Sequence, residues 1–266
     1  MRYIFVSDIH GEYNKLIQAL ALENFDMEND TLISLGDPFD RGPQSKEVLD
    51  FILSCPHRII VLGNHDWRLK VLMERPALWN QYDIVNGVPE TYRSFLELPP
   101  DTEVTAWEAL RALSQNEKLR QYYEEAVLYV EFSDIVAVHG WVPFNTVNRT
   151  FLAPYRHPTD PQLDWHHALR MDWYDATWAH TQLCMENYIY IVGKRMIVGH
   201  WHAWRLAKHF GEEREQPNGH INCDIWWNER LVAIDGCSNY PKGGKVNTLV
   251  YTSNEKPQTL RYYDCE

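Results

Sequence analysis

The chain has 266 residues, of which 45% are apolar, enough for one large domain or two small ones with a sizeable core. A net charge of −12 argues against a binder of nucleic-acid backbone, which shows a basic face; a phosphorylated small molecule stays compatible, because bound metals reverse the local field. The apolar opening from Met1 to Val6 is too short for a signal peptide or a membrane span, and five widely spaced cysteines without a CxxC pair fit a reduced, cytoplasmic compartment.

Arg2 to Ser7 reads as a buried strand. Leu16, Ile17, Leu20 and Ala21 then fall at helical spacing within Tyr13 to Leu22. Thr31 to Leu35 is a second strand, and Val48, Leu49, Ile52 and Leu53 form the apolar face of a helix with Pro43 near its start. Arg58 to Leu62 is a third strand. The order β-α-β-α-β implies a parallel sheet with crossover helices. Trp67 to Met73 is helical and Pro76 ends it. Residues 77–126 read as an inserted helical region rich in aromatics, without a ligand-like cluster. Ala126 to Val138 returns to strand, turning at Ser133-Asp134. Residues 143–190 form a second insert, irregular and helical. Ile197-Val198 leads into a last quarter of short apolar or alternating runs, Ile221 to Trp227, Leu231 to Ile234, Val246 to Thr252 and Gln258 to Tyr263, which reads as mostly antiparallel β. With no repeat, low-complexity tract or flexible linker, residues 1–266 are expected to form one domain.

Five short segments place polar, metal-binding side chains directly after apolar runs. They are Ser7-Asp8-Ile9-His10-Gly11, Gly36-Asp37-Pro38-Phe39-Asp40-Arg41-Gly42, Gly63-Asn64-His65-Asp66, Val138-His139-Gly140 and Gly199-His200-Trp201-His202. A residue just past the C-terminal end of a strand faces the crevice where open α/β sheets bind ligands. Carboxylate and imidazole together suit Mn, Fe or Zn rather than Ca. A carboxylate such as Asp37 can bridge two cations about 3.5–4 Å apart, which can hold a hydroxide and clamp a phosphoryl group. Asp and Asn are also ordinary turn residues, and that explains one or two of these segments but not five in this order.

The same segments resemble those of the calcineurin-like metallophosphoesterases, and most closely the branch of the serine/threonine protein phosphatases with their bacterial and phage relatives. Ala233-Ile234-Asp235-Gly236-Cys237 followed by Gly243-Gly244-Lys245 resembles that branch's closing strand and turn. The likeness spans the core of nearly the whole chain and is weak over both inserts. It implies a four-layer α/β/β/α sandwich of two mixed β-sheets, holding two divalent metal ions, Mn first, with Fe or Zn as alternatives. Asp8 and His10 would bind the first ion, Asp37 would bridge, and Asn64, His139 and His200 would bind the second. His202 joins the ligands through the His-x-His pattern of the wider superfamily. Arg41 would grip phosphate oxygens, with Asn64 and His65 also touching the substrate. His65, oriented by Asp40, would be the general acid. Arg170 lies in the interval where the branch has a second phosphate-binding arginine.

The reaction expected is hydrolysis of phosphomonoesters, phosphoserine or phosphothreonine included, by in-line attack of a metal-bridging hydroxide. The partner is therefore a phosphopeptide or a small phosphoester, with no membrane or nucleic acid. Symmetrical dinucleoside tetraphosphate hydrolases and cyclic-nucleotide phosphodiesterases share most of these motifs. The inserts lack the basic cluster that a tetraphosphate would favour. A catalytically silent metal-binding scaffold is the third reading, opposed by the full set of ligands. Trp141 and Trp201, each beside a ligand, are candidates for walls of the site, while His166 and His167 read as solvated helix residues.

Overall fold

The computed structural model describes residues 1–99, 102–146, 158–161 and 164–265. The second expected insert therefore lies partly outside the described residues.

The chain starts β1 (Arg2–Val6), α1 (Tyr13–Leu22), β2 (Asp30–Leu35), α2 (Ser45–Ser54), β3 (Arg58–Val61) and α3 (Asn64–Glu74). Strands β1, β2 and β3 pair in parallel, as the β-α-β-α-β reading requires. Side chains of β1 alternate between two apolar environments. Tyr3 and Phe5 enter one core cluster, Ile4 and Val6 the other. Burial on both faces explains why the strand reads as a continuous apolar run.

The first insert holds α4 (Gln81–Val85), α5 (Val88–Phe95), α6 (Ala106–Leu113) and α7 (Glu117–Glu125). Helices α6 and α7 begin on side-chain caps, Thr105 to the Glu108 N–H and Asn116 to the Leu119 N–H. Strands β4 (Val127–Glu131) and β5 (Ile135–Val138) follow as a hairpin. The second insert differs from expectation. Besides α8 (Arg170–Thr177) and α9 (Thr181–Glu186), it contains a two-stranded antiparallel ribbon of β6 (Phe144–Thr146) and β7 (Pro158–Pro161). Prolines at both ends of β7 hide it from a strand search. The chain closes with β8 (Arg195–Val198), α10 (Ala203–His209), β9 (Trp226–Trp227), β10 (Leu231–Ala233), β11 (Thr248–Thr252) and β12 (Gln258–Arg261). The last quarter is not uniformly antiparallel, since β10 runs parallel to β8. The expected strand from Ile221 shrinks to Trp226 and Trp227.

The two sheets of the sandwich are halves of one ten-stranded mixed sheet, ordered β11-β1-β2-β3-β4-β5-β8-β10-β9, with β12 on β4. The sheet curls until its halves face each other. Phe5, Ile33 and Val61 of one half share a core cluster with Ala137, Ile197 and Val232 of the other. The Tyr251 hydroxyl on β11 reaches the Asp134 carboxylate at the β4–β5 turn, 2.5 Å away. Helices pack on the outer face over a second, larger apolar cluster. Both inserts contribute to it, through Tyr92, Leu110 and Tyr122 from the first and Trp165 and Trp173 from the second.

The first insert is anchored on the loop after β2. Phe39 is fully buried, with ring centroids 5.6 Å from Phe95 and 5.2 Å from Tyr122. Phe39→Ala should cost about 3–5 kcal/mol of unfolding free energy, the usual range for a buried Phe truncation. Urea denaturation measures it, and a loss below about 1 kcal/mol would mean that the insert is held elsewhere.

Candidate metal centre

The sheet brings six strand ends together: β1 delivers Asp8 and His10, β2 Asp37, β3 Asn64 and His65, β5 His139, β8 His200 and β10 Asp235. Hydrogen bonds join the ends across the two halves. His139 Nδ1 donates to the carbonyl of Leu35 at 2.8 Å, and the His200 N–H donates to Asp8 Oδ2 at 2.9 Å. The backbone turns sharply there. Asp8, His10, Asp37, Asp40, Arg41 and His200 all have φ between +46° and +70°. Such a conformation is uncommon for any residue with a Cβ, and a cluster of them marks a place where surrounding contacts hold strain for function. Gly63 and Gly199 give the needed clearance. A Cβ on Gly63 would overlap Asp37 Oδ1, and one on Gly199 would overlap Ser7 Oγ.

Asp37 is the centre of the cluster. Its Oδ2 lies 3.3 Å from His139 Nε2 and 3.9 Å from both His10 Nε2 and His65 Nε2. Its Oδ1 accepts the His65 N–H at 3.0 Å. Two groups of ligand-type atoms share it, His10 with His65 on one side and His139 with His200 on the other, each group within 4.8 Å. Asp8 Oδ1 stands 4.0 Å from His10 Nε2, and Asn64 Oδ1 is 2.8 Å from His139 Nε2. Helix α3 starts at Asn64, three residues earlier than its apolar spacing suggests, so Asn64 and His65 sit in its first turn. Asp66 steadies this turn, accepting the Gly63 N–H at 2.7 Å and the Asp37 N–H at 3.1 Å. Burial, and then the nearby Asp37 carboxylate, push Asp66 up to about 7.

The electrostatics fit metal ligation. Burial alone would raise the Asp37 carboxyl, yet His139, His65 and His10 around it hold it well below the carboxylate range. Burial, and then Arg41, hold the His10 imidazole well below its usual value; burial and His139 do the same for His200. Neutral imidazole is the form that ligates metal. His10 Nδ1 donates to the Phe39 carbonyl at 2.8 Å, which leaves Nε2 as the lone pair facing Asp37. Burial would lower His139, but the Asp37 carboxylate lifts it to about 10. A cation entering beside Asp37 would replace that proton.

A second set of residues flanks the ligands. Arg41 donates to His10 Nε2 at 2.8 Å and to His65 Nε2 at 3.0 Å. His65 Nδ1 donates to Asp40 Oδ2 at 2.7 Å. Trp178, which sequence reasoning passed over, lies nearly parallel to the His65 ring at a centroid distance of 6.5 Å and edge-on to His200 at 6.3 Å.

Two expected members lie outside both groups of ligand atoms. Arg170 donates to the carbonyl of Cys265 and lies over the Tyr262 ring, so its guanidinium is committed to the C-terminal segment. His202 belongs to neither ligand group; the chain turns at His200, and His202 becomes the cap of α10 with Nε2 3.9 Å from Asp235 Oδ2. Asp235 itself was visible only as part of the closing motif. It is buried and raises Asp8 further above the carboxylate range after burial has done so. Trp141 is a core residue whose Nε1 donates to the Ile189 carbonyl, whereas half-buried Trp201 lies tilted against the His180 ring at a centroid distance of 3.7 Å. His167 is exposed, but His166 stacks on Trp165 and pairs with Glu131 at 2.7 Å. A cavity of about 920 Å³ lined by Tyr190, Ile197, Arg230, Val232 and Tyr251 contains none of the site residues.

Comparison with known proteins gives consistent results. A family model described as Calcineurin-like phosphoesterase matches residues 1–204. A symmetrical bis(5'-nucleosyl)-tetraphosphatase of Buchnera aphidicola subsp. Baizongia pistaciae is 44% identical over 73 residues, 27% of this chain and 26% of that protein. The match thus spans about a quarter of the relative's length. Two solved structures share the fold at a TM-score of 0.50 over 97% of this chain. One is described as a candidate diadenosine tetraphosphatase (17% identity, 92% of its chain), the other as a cold-active protein-tyrosine phosphatase of a psychrophilic Shewanella species (14% identity, 80% of its chain).

The close approach at Gly63 yields a test. The methyl of Gly63→Ala must displace the Asp37 carboxylate. Calorimetric Mn²⁺ affinity is expected to weaken at least about tenfold, as for lost partners that orient a ligand, with the circular dichroism spectrum unchanged. Unaltered affinity would remove Asp37 from the centre.

Proposed function

The chain belongs to the Calcineurin-like phosphoesterase family, and from that premise we propose that it is a dinuclear metal-dependent phosphomonoesterase acting on alcohol phosphates, phosphoserine and phosphothreonine included. Asp8, His10 and Asp37 would hold one ion, and Asp37, Asn64, His139 and His200 the other, with Mn the first choice and Fe or Zn alternatives. Such ions, when bound, supply Lewis acidity that polarises phosphoryl oxygens and makes water a better nucleophile.

The chain's own residues do the rest. Arg41, whose two terminal nitrogens here donate to His10 and His65, would turn its planar pair of N–H donors to two phosphate oxygens when substrate binds. His65 Nε2 faces Arg41 and Asp37 and accepts from Arg41 here; as the acid it would carry a proton in place of that bond and give it to the leaving oxygen. Asp40 fixes the opposite nitrogen and with it the orientation of the ring. Trp178 stands beside His65 and His200 and would form one wall of the site.

The observation that carries the substrate choice is the buried Asp40–His65 pair. An alkoxide is a poor leaving group and needs a proton as the P–O bond breaks. A nucleotide phosphate leaves as a stabilised anion and needs little help. The second reading, hydrolysis of a symmetrical dinucleoside tetraphosphate, is favoured by the curated relative's name.

Two experiments decide. On phenyl phosphate with Mn²⁺, His65→Ala should lower kcat by about 10²–10⁴, the usual worth of a general acid, and an unchanged kcat rejects the role. Compared at equal enzyme concentration, a phosphothreonine peptide should give a higher kcat/KM than diadenosine tetraphosphate or a cyclic nucleotide. The reverse order would favour the tetraphosphate reading.

A further inference from the structure

We propose that Thr91, on α5 of the first insert, is a positioning residue for proton transfer to the leaving group, acting through Asp40 on His65. The inference rests on the reading of His65 as the general acid.

Thr91 is fully buried and lies fifty-one residues from Asp40 in sequence. Its hydroxyl makes two bonds to that one residue. Oγ1 donates to Asp40 Oδ1 at 2.6 Å and accepts the Asp40 backbone N–H at 2.8 Å. The other carboxylate oxygen, Oδ2, accepts the hydrogen bond from His65 Nδ1–H. Each oxygen of Asp40 therefore has a fixed partner. The terminal torsion of an Asp side chain is broad, so a carboxylate held by the imidazole alone would be free to swing. The Thr91 bond removes that freedom, and the direction of His65 Nε2 is set with it.

Backbone geometry gives the grip a reason. Asp40 and Arg41 both have left-handed φ, at +70° and +68°. Such a turn persists only when neighbours over-determine it. The Asp40 N–H goes to Thr91, and the Arg41 N–H goes to the carbonyl of Gly87, just before α5, at 3.1 Å. A Cβ on Gly87 would overlap the Arg41 nitrogen. The start of α5 thus clamps the proton-orienting carboxylate and the phosphate-gripping arginine in consecutive positions. The first insert, which carries no ligand, is by this account part of the catalytic apparatus.

A buried threonine also serves packing alone, so the test must separate positioning from stability. Thr91→Val keeps the shape and removes the hydroxyl; Thr91→Ser keeps the hydroxyl. kcat and KM are measured on phenyl phosphate, whose leaving group needs a proton, and on p-nitrophenyl phosphate, whose leaving group scarcely does. For Thr91→Val, kcat on phenyl phosphate should fall about ten- to a hundredfold, as for a misplaced catalytic group, against less than about threefold on p-nitrophenyl phosphate. KM should hold, and Thr91→Ser should restore the selectivity. In the metal-free protein, the downfield ¹H resonance of the His65 Nδ1 proton should broaden in Thr91→Val and stay sharp in Thr91→Ser. Equal losses on both substrates, or no restoration by Ser, overturn the proposal. His65→Ala is run alongside. If it is selective and Thr91→Val is not, only the Thr91 inference falls; if His65→Ala is unselective, the acid reading falls and takes the inference with it. Should Thr91→Val fail to fold, Thr91→Cys is read by the same criteria.

Discussion

A single carboxylate, that of Asp37, belongs to both groups of ligand atoms, and the rest of the site is built around keeping it ionised in a buried place. An isolated carboxylate there would take up a proton, because burial disfavours its charge. Three imidazoles within 4 Å and the His65 N–H offset that cost. In the protein without metal, the His139 proton supplies part of the compensating charge. Bound divalent cations would supply more.

The sheet makes this arrangement possible. Parallel strands put several chain ends on one rim, and the curl of the sheet brings β5, β8 and β10 to the same place as β1, β2 and β3. The strained turns at Asp8, His10, Asp37 and His200 then aim the side chains inward. Strain of this kind needs rigid surroundings, and the buried aromatic packing of both inserts over the outer face supplies them. Phe39 and Thr91 show the connection most directly, because each ties the loop after β2 to the first insert.

How far the sequence revealed this depends on how local the signal was. The ligand segments were legible because strand end, turn glycine and donor stand side by side in the chain, and β1 to β3 with α1 and α2 were legible from apolar spacing. Long-range pairings were not. Arg170 occupies a suitable interval, yet a carbonyl ninety-five residues away takes its guanidinium. His202 has the right spacing from His200, but the turn at His200 carries it to Asp235. Thr91 sits in an amphipathic helix with no motif to mark it, and only the fold shows which residue it meets. The β6–β7 ribbon was missed because prolines and short length erase its alternation.

The central claim is that two cations share Asp37. Low-temperature electron paramagnetic resonance of the Mn²⁺-loaded protein tests it most directly. An exchange-coupled spectrum with two ions per chain is expected, and it should be lost in Asp37→Asn. A spectrum of magnetically isolated ions, or one ion per chain at saturation, would contradict the claim.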